Sequence, residues 1–221
     1  MGTKDYRKLE QKVINIIKLT GHFIFNNKEY KLVEIGKPQS QGSGEPKTDV
    51  YILGMHKGEK KELKLSLKLK STNEFQENKI NSDRAESLFG KNYAKIIEDT
   101  ALNIKHLFES QPLIYVSGRH PIRPNSITMG WKLELANKPR KLSSPLQLSK
   151  RQIRDYIYKG TNLPDDKKNS LVNGKIVENF GVANYMLYAE LHEINSVEDI
   201  FEKIKPIDSI DFDQLYLIFY S

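Results

Sequence analysis

"GSGEPKTDVYILGMHKGEKKELKLSLKLK", residues 42–70, decides how the rest of the chain is read. A glycine-rich loop leads to a single acid, Asp49. The apolar run "DVYIL" follows, and then "KELKLSLKLK", in which Leu alternates with Lys or Ser. Between them "GMHKGEK" carries Gly54 and Gly58, so the two runs are expected to form an antiparallel hairpin. A turn centred between Lys57 and Gly58 sets Asp49 opposite Ser66 and makes Lys68 a diagonal neighbour. Side chains alternate faces with period two. Leu63, Leu65, Leu67 and Leu69 then share one face, and Glu62, Lys64, Ser66, Lys68 and Lys70 share the other, which Asp49 joins. A one-residue bulge would shift this register. The glycines run into a strand, whereas a phosphate-cradling loop needs Gly-Lys-Ser or Gly-Lys-Thr opening a helix, so that meaning is excluded.

Upstream, residues 5–20 place Leu9, Val13, Ile16, Ile17 and Leu19 largely on one helical stripe, which Gly21 stops. "HFIFNNKEYKLVEIG" reads as strand, turn at Asn26-Asn27, and strand. "KPQSQGSGEPKT" is a loop able to approach a ligand. Downstream, "STNEFQENKINSDRAESLFGKN" is polar and reads as loop with short helices. Residues 91–110 predict a long helix through Ile97, Ala101, Ile104, Leu107 and Phe108, ending before Pro112. "LIYVSG" and "ITMGWKLELA" read as strands around a loop, "RHPIRPNS". Beyond Ala136 the texture turns basic. Ser149 is placed to cap a helix, "KRQIRDYIYKG", that Gly160 ends. "VANYMLYAELHEI" and "SVEDIFEKI" read as helical, and "FDQLYLIFY" as a closing strand. The class is mixed α and β, with a central mixed sheet flanked by helices and no doubly wound alternation.

The totals narrow the chemistry. The chain has 221 residues, 38% of them hydrophobic and 29% charged, which suits a soluble globular protein. It has no cysteine, which excludes disulfides, thiolate zinc sites and a cysteine nucleophile. The opening "MGTKDYRKLEQKV" is charged where a signal peptide is apolar, and no apolar run nears the roughly 20 residues of a membrane span. The expected location is therefore cytoplasmic, with no membrane partner. A net charge of +7 favours a polyanionic partner. His22, His56, His106, His120 and His192 have no metal-ligand spacing, His106 reads as a surface or boundary residue, and no Gly-x-Ser-x-Gly elbow occurs.

An acid, a second oxygen and a lysine on neighbouring strands suit phosphodiester hydrolysis. That reaction uses a divalent ion to polarise phosphate and acidify water, and an ammonium to offset developing charge. At these residues the chain resembles the PD-(D/E)XK nuclease superfamily, above all its type II restriction endonucleases. In that pattern an Asp opens one strand and acid-x-Lys lies on the next. "KTDVYI" supplies the first part, with Thr48 at the family's Pro position. Two segments compete for the second: Ser66-Leu67-Lys68, which has the position but not the acid, and Glu62-Leu63-Lys64, which keeps the acid but lies nearer the turn. Pairing geometry favours the former.

The resemblance implies a restriction-endonuclease-like core over residues 1–136 and a recognition or dimerisation extension over 137–221. It implies Mg2+ held by Asp49, with Glu45 or the helix residue Glu10 making up for Ser66. Lys68 would position the nucleophile. It further implies double-stranded DNA as substrate, a homodimer on a palindromic site, and a cognate DNA methyltransferase. Candidate DNA contacts are Arg119, His120, Arg123 and Asn125 in the Pro-stiffened loop, and Lys150, Arg151 and Arg154 in the basic helix. Trp131 and the C-terminal aromatics read as core. Because Ser66 replaces an acid, two rivals stand beside this expectation. One is a non-catalytic DNA-binding protein on the same fold, and the other a structure-selective repair or phage nuclease.

Overall fold

The computed structural model describes residues 2–40, 46–70, 76–109, 114–115, 126–127 and 132–220. Contacts divide the chain into two compact units, Met1–Asn73 with Arg151–Phe212, and Glu74–Lys150 with Asp213–Ser221. Each unit therefore draws on both sides of Ala136.

The first unit opens with helix α1 (Gly2–Thr20). Its stripe of Leu9, Val13 and Ile17 is sealed from solvent, whereas Leu19 is exposed. Gly21 ends it at φ +71°, a left-handed conformation that glycine adopts without steric cost, and its N–H bonds Ile17 O at 3.0 Å. Strands β1 (His22–Phe25) and β2 (Lys28–Gly36) follow. The turn between them holds Asn26 and Asn27 at φ 49° and 60°, the positive pair that a tight right-twisting hairpin demands. Strands β3 (Val50–His56) and β4 (Glu59–Lys68) form the next hairpin. Its turn is Lys57-Gly58, with φ 46° and 87°. The register runs from His56 opposite Glu59 to Val50 opposite Leu65, which is the pairing the sequence predicts.

After residue 150 the unit adds β5 (Ser170–Val172), β6 (Lys175–Val177), β7 (Tyr185–Tyr188), helix α2 (Val197–Lys203) and β8 (Ile204–Pro206). The main sheet has the order β1-β2-β3-β4-β7-β8. Neighbours are antiparallel except β4 and β7, which run parallel, so the sheet is mixed. Strand β7 and the 3-10 turn Leu191–Glu193 replace the helix expected over "VANYMLYAELHEI". The reason is position. Met186, Leu187 and Ala189 are all buried, and a strand covered on both faces loses the alternation that would distinguish it from a helix. Asn184 starts the parallel ladder, its Oδ1 accepting from Lys64 N at 2.7 Å while its own N–H donates to Lys64 O at 3.0 Å.

Helices α1 and α2 pack with one face of this sheet. Leu9, Val13, Ile17, Phe23, Val50, Ile52, Leu63, Leu65, Leu187 and Ile200 form its core without exposure. Burying each such side chain is worth roughly 1.5–3 kcal/mol. Gly54 lies where Phe23 crosses β3; a Cβ there would come within 2.5 Å of the Phe23 ring. Tyr51, on the opposite face, joins a smaller cluster with Val172 and Phe180. The basic helix expected from Lys150 is present as an α turn, Lys150–Gln152, continued by a π-helical stretch, Ile153–Lys159. Ile153 and Ile157 are buried, as their spacing predicts, and Gly160 ends it at φ +81°.

The second unit holds a four-stranded sheet in the order Gln76–Ile80, Lys132–Ala136, Tyr216–Tyr220, Ser143–Pro145. The first of these strands replaces part of an expected loop, and Tyr216–Tyr220 is the expected closing strand. Helix Ser82–Phe89 follows the first strand, capped by Asn81 Oδ1, which accepts from Arg84 N at 2.9 Å. The single helix expected over 91–110 is two, Tyr93–Leu102 and Lys105–Glu109. Asn103 Nδ2 donates to Ser144 Oγ at 3.2 Å, and Thr100 Oγ1 accepts from Gln147 N at 3.1 Å. These bonds tie the break to the strand at 143–145. His106 is exposed. Pro112 and Trp131 lie outside the described residues. No helix among the described residues is long and apolar enough to cross a membrane.

Candidate functional site

Three bonds fix the chain as it enters β3. Lys47 N–H donates to Gly181 O at 2.9 Å, Thr48 Oγ1 to Phe180 O at 2.8 Å, and Asp49 N–H to Leu65 O at 2.8 Å. Gly181 is itself a place of close approach, since an added Cβ would fall 1.9 Å from Lys167 O. The β3–β4 register ends at Val50 opposite Leu65, and Asp49 N–H also bonds Leu65 O, so Asp49 stands at the end of the ladder beside Ser66 and Leu67. Asp49 Oδ2 then accepts from Leu67 N at 2.7 Å, closing the ladder with a carboxylate. Its Oδ1 accepts no hydrogen bond among the described residues. Asp49 also lines a cavity of about 240 Å³ with Lys37, Pro38, Gln39, Ser40, Pro46 and Thr48.

Burial is the largest influence on Asp49 and pushes its pKa up to about 6. The Lys68 ammonium and the Leu67 N–H oppose that rise, the like charge of Glu10 adds to it, and Lys37 opposes it. Desolvation disfavours the carboxylate, and nearby cations recover part of the loss. Glu10, on α1 and mostly shielded from solvent, is ion-paired through Oε2 to Lys37 Nζ. The charges of Glu10, Lys37 and Lys68 thus all reach the Asp49 carboxyl, and Lys37 pairs with Glu10. Ser66 is only 4% exposed. Ser66 and Lys68 are flanked on their other edge by Met186 and Tyr188 of β7.

The competing pair lies elsewhere. Glu62 is opposite Leu53, nearer the turn, and accepts from Tyr51 Oη at 2.7 Å. Lys64 is opposite Tyr51 and donates to Asn179 O at 3.0 Å, and burial lowers its pKa. Glu45 lies outside the described residues, as do Arg119, His120, Arg123 and Asn125. Among the basic-helix candidates, Arg151 is exposed and 3.6 Å from Asp155. Arg154 is committed to Asp155 and Asp208, each at 3.3 Å, in a cluster that Lys159 completes at 2.7 Å from Asp208. Its charge is already matched inside the fold. Lys150 begins the α turn.

Sequence reasoning missed Lys37. It follows the last residue of β2, and Gly36 pairs with Tyr51, so the β2–β3 register carried one residue further sets it opposite Val50, the neighbour of Asp49.

The donor set suits a hard, hydrated cation. Magnesium takes oxygen ligands, keeps several waters, and can be held by one or two carboxylates. Asp49 and Glu10 offer those carboxylates and Ser66 a hydroxyl. No group of three or more His, Cys, Asp or Glu that could hold a metal stands among the described residues, so a site here would be water-rich rather than a full protein cage. No family model, curated protein or solved structure matches the chain.

Proposed function

We propose that the protein is a magnesium-dependent endonuclease that hydrolyses phosphodiester bonds in double-stranded DNA, and specifically a type II restriction enzyme of the PD-(D/E)XK kind. The observation that carries this reading is the Asp49 carboxylate at the mouth of the β3–β4 hairpin, accepting from Leu67 N at 2.7 Å, with the charges of Lys68 and Glu10 felt at it. Asp49 and Glu10 would hold the ion, and Ser66 occupies the second-ligand position. When bound, Mg2+ supplies a polarised phosphate and a more acidic water. Lys68 holds the attacking water in line and offsets charge on the phosphate. The mixed sheet with its helices is read as the restriction-endonuclease-like core, and residues 137–221 as contributing recognition and dimerisation. A cytoplasmic homodimer with a partner methyltransferase completes the proposal. The +7 charge supports a DNA substrate.

Ser66 favours a second reading, a DNA-binding protein of this fold without catalysis, because a hydroxyl is a weak ligand for magnesium. The test incubates purified protein with plasmid and unmethylated phage DNA, with magnesium or with EDTA. Discrete magnesium-dependent fragments support a restriction enzyme. A smear or a preference for branched DNA supports a structure-selective nuclease. Salt-sensitive binding without cleavage supports the second reading.

A further inference from the structure

Lys37 is the charged neighbour of Asp49 to which the nuclease reading assigns no role. Its Nζ donates to Glu10 Oε2, and it lines the same cavity as Asp49. The two partners of the pair differ in freedom. The Glu10 side chain is 13% exposed and fixed on α1, whereas that of Lys37 is 48% exposed, at the end of a four-carbon stem. One member of the pair is therefore built into the fold and the other can leave it.

An ammonium that pairs with one carboxylate and whose charge is felt at a second offsets the repulsion a divalent cation would otherwise relieve. We propose that Lys37 is a built-in competitor for the metal: it neutralises Glu10 and Asp49 in metal-free protein, and on cation binding its ammonium is released toward solvent, where a DNA phosphate can take it. This rests on the nuclease reading and adds to it a coupling between metal and DNA. A residue that metal expels and phosphate captures makes each ligand favour the other, and the coupling is reciprocal. Lysine suits this role as a compact point charge whose partner can be exchanged without bidentate geometry.

The experiment measures Mn2+ binding to full-length wild type, Lys37→Met, Glu10→Gln, the double variant and Asp49→Asn, by electron paramagnetic resonance without DNA. DNA affinity is then measured with and without Ca2+. Thermal melts establish that each variant is folded. Lys37→Met is expected to bind Mn2+ about tenfold more tightly, the size of one coupling step of about 1.4 kcal/mol. It should also lose most of the enhancement of DNA binding by Ca2+. In the Glu10→Gln background the same substitution should change Mn2+ affinity little, because the pair is already broken. Unchanged or weaker Mn2+ binding by Lys37→Met, beside wild-type binding that Asp49→Asn abolishes, overturns the competitor role and leaves the nuclease reading standing. Absence of Mn2+ binding by wild type overturns both.

Discussion

The two faces of the β3–β4 hairpin are built from the same strands and do opposite things. On one, Val50, Ile52, Leu63, Leu65 and Leu67 are at most 2% exposed and belong to the apolar core. On the other stand Asp49, Tyr51, Lys64, Ser66 and Lys68. The apolar face gains stability in proportion to the area it removes from water, and no single contact is special. The polar face holds a carboxylate that burial makes costly to ionise, recovered in part by lysines and one N–H. Alternation at period two lets the hairpin separate these tasks. The leucines fix the register, and the register brings Asp49 to the Leu67 N–H.

Substitutions break the comparison from either side. The largest effect is expected from Asp49→Ala or Lys68→Ala, each lowering plasmid cleavage by about 10²–10³-fold or more while DNA binding in a gel-shift persists. Glu62→Ala and Lys64→Ala are expected to spare cleavage; the reverse pattern would shift the site toward the turn. On the apolar face, Leu65→Ala should cost about 2–5 kcal/mol in urea unfolding and leave the specific activity of the folded fraction near wild type.

Asp49→Asn sharpens the contrast by separating charge from shape. The folded carboxyl titrates near pH 6, above its ordinary value of 3.8, so between these the native state holds more protons than the unfolded one. Stability from this group is complete below the unfolded pKa and lost as pH rises through the folded one. The asparagine variant should therefore match wild type near pH 3.5 and exceed it by at most about 3 kcal/mol above pH 7, as followed by thermal melts. Gly54→Ala, which presses a methyl onto the Phe23 ring, is expected to cost about 1–3 kcal/mol by the same measurement, without altering the pH profile.

What was legible in the sequence follows from how local its cause is. Asn26-Asn27 and Lys57-Gly58 announce their turns because positive φ is a property of a few residue types. The leucine alternation of β4 needs only one buried face. Strand β7 was illegible because its parallel partner, β4, lies far away in sequence and because Met186 and Leu187, on its opposite faces, are both buried. The break at Asn103 depends on Ser144, and nothing near residue 103 signals it. Within the site, Asp49, Ser66 and Lys68 could be aligned by counting from one turn. Lys37 required a second register, and its tie to Glu10 required knowing where α1 lies against the sheet.

The four-stranded sheet of the second unit carries a consequence for biosynthesis. Its interior strand, Tyr216–Tyr220, bridges Lys132–Ala136 and Ser143–Pro145, yet it is translated after everything the first unit contains. Until those last residues emerge, the second unit is held with a gap through its middle. During that interval two unsatisfied strand edges are open to chaperones and neighbouring nascent chains.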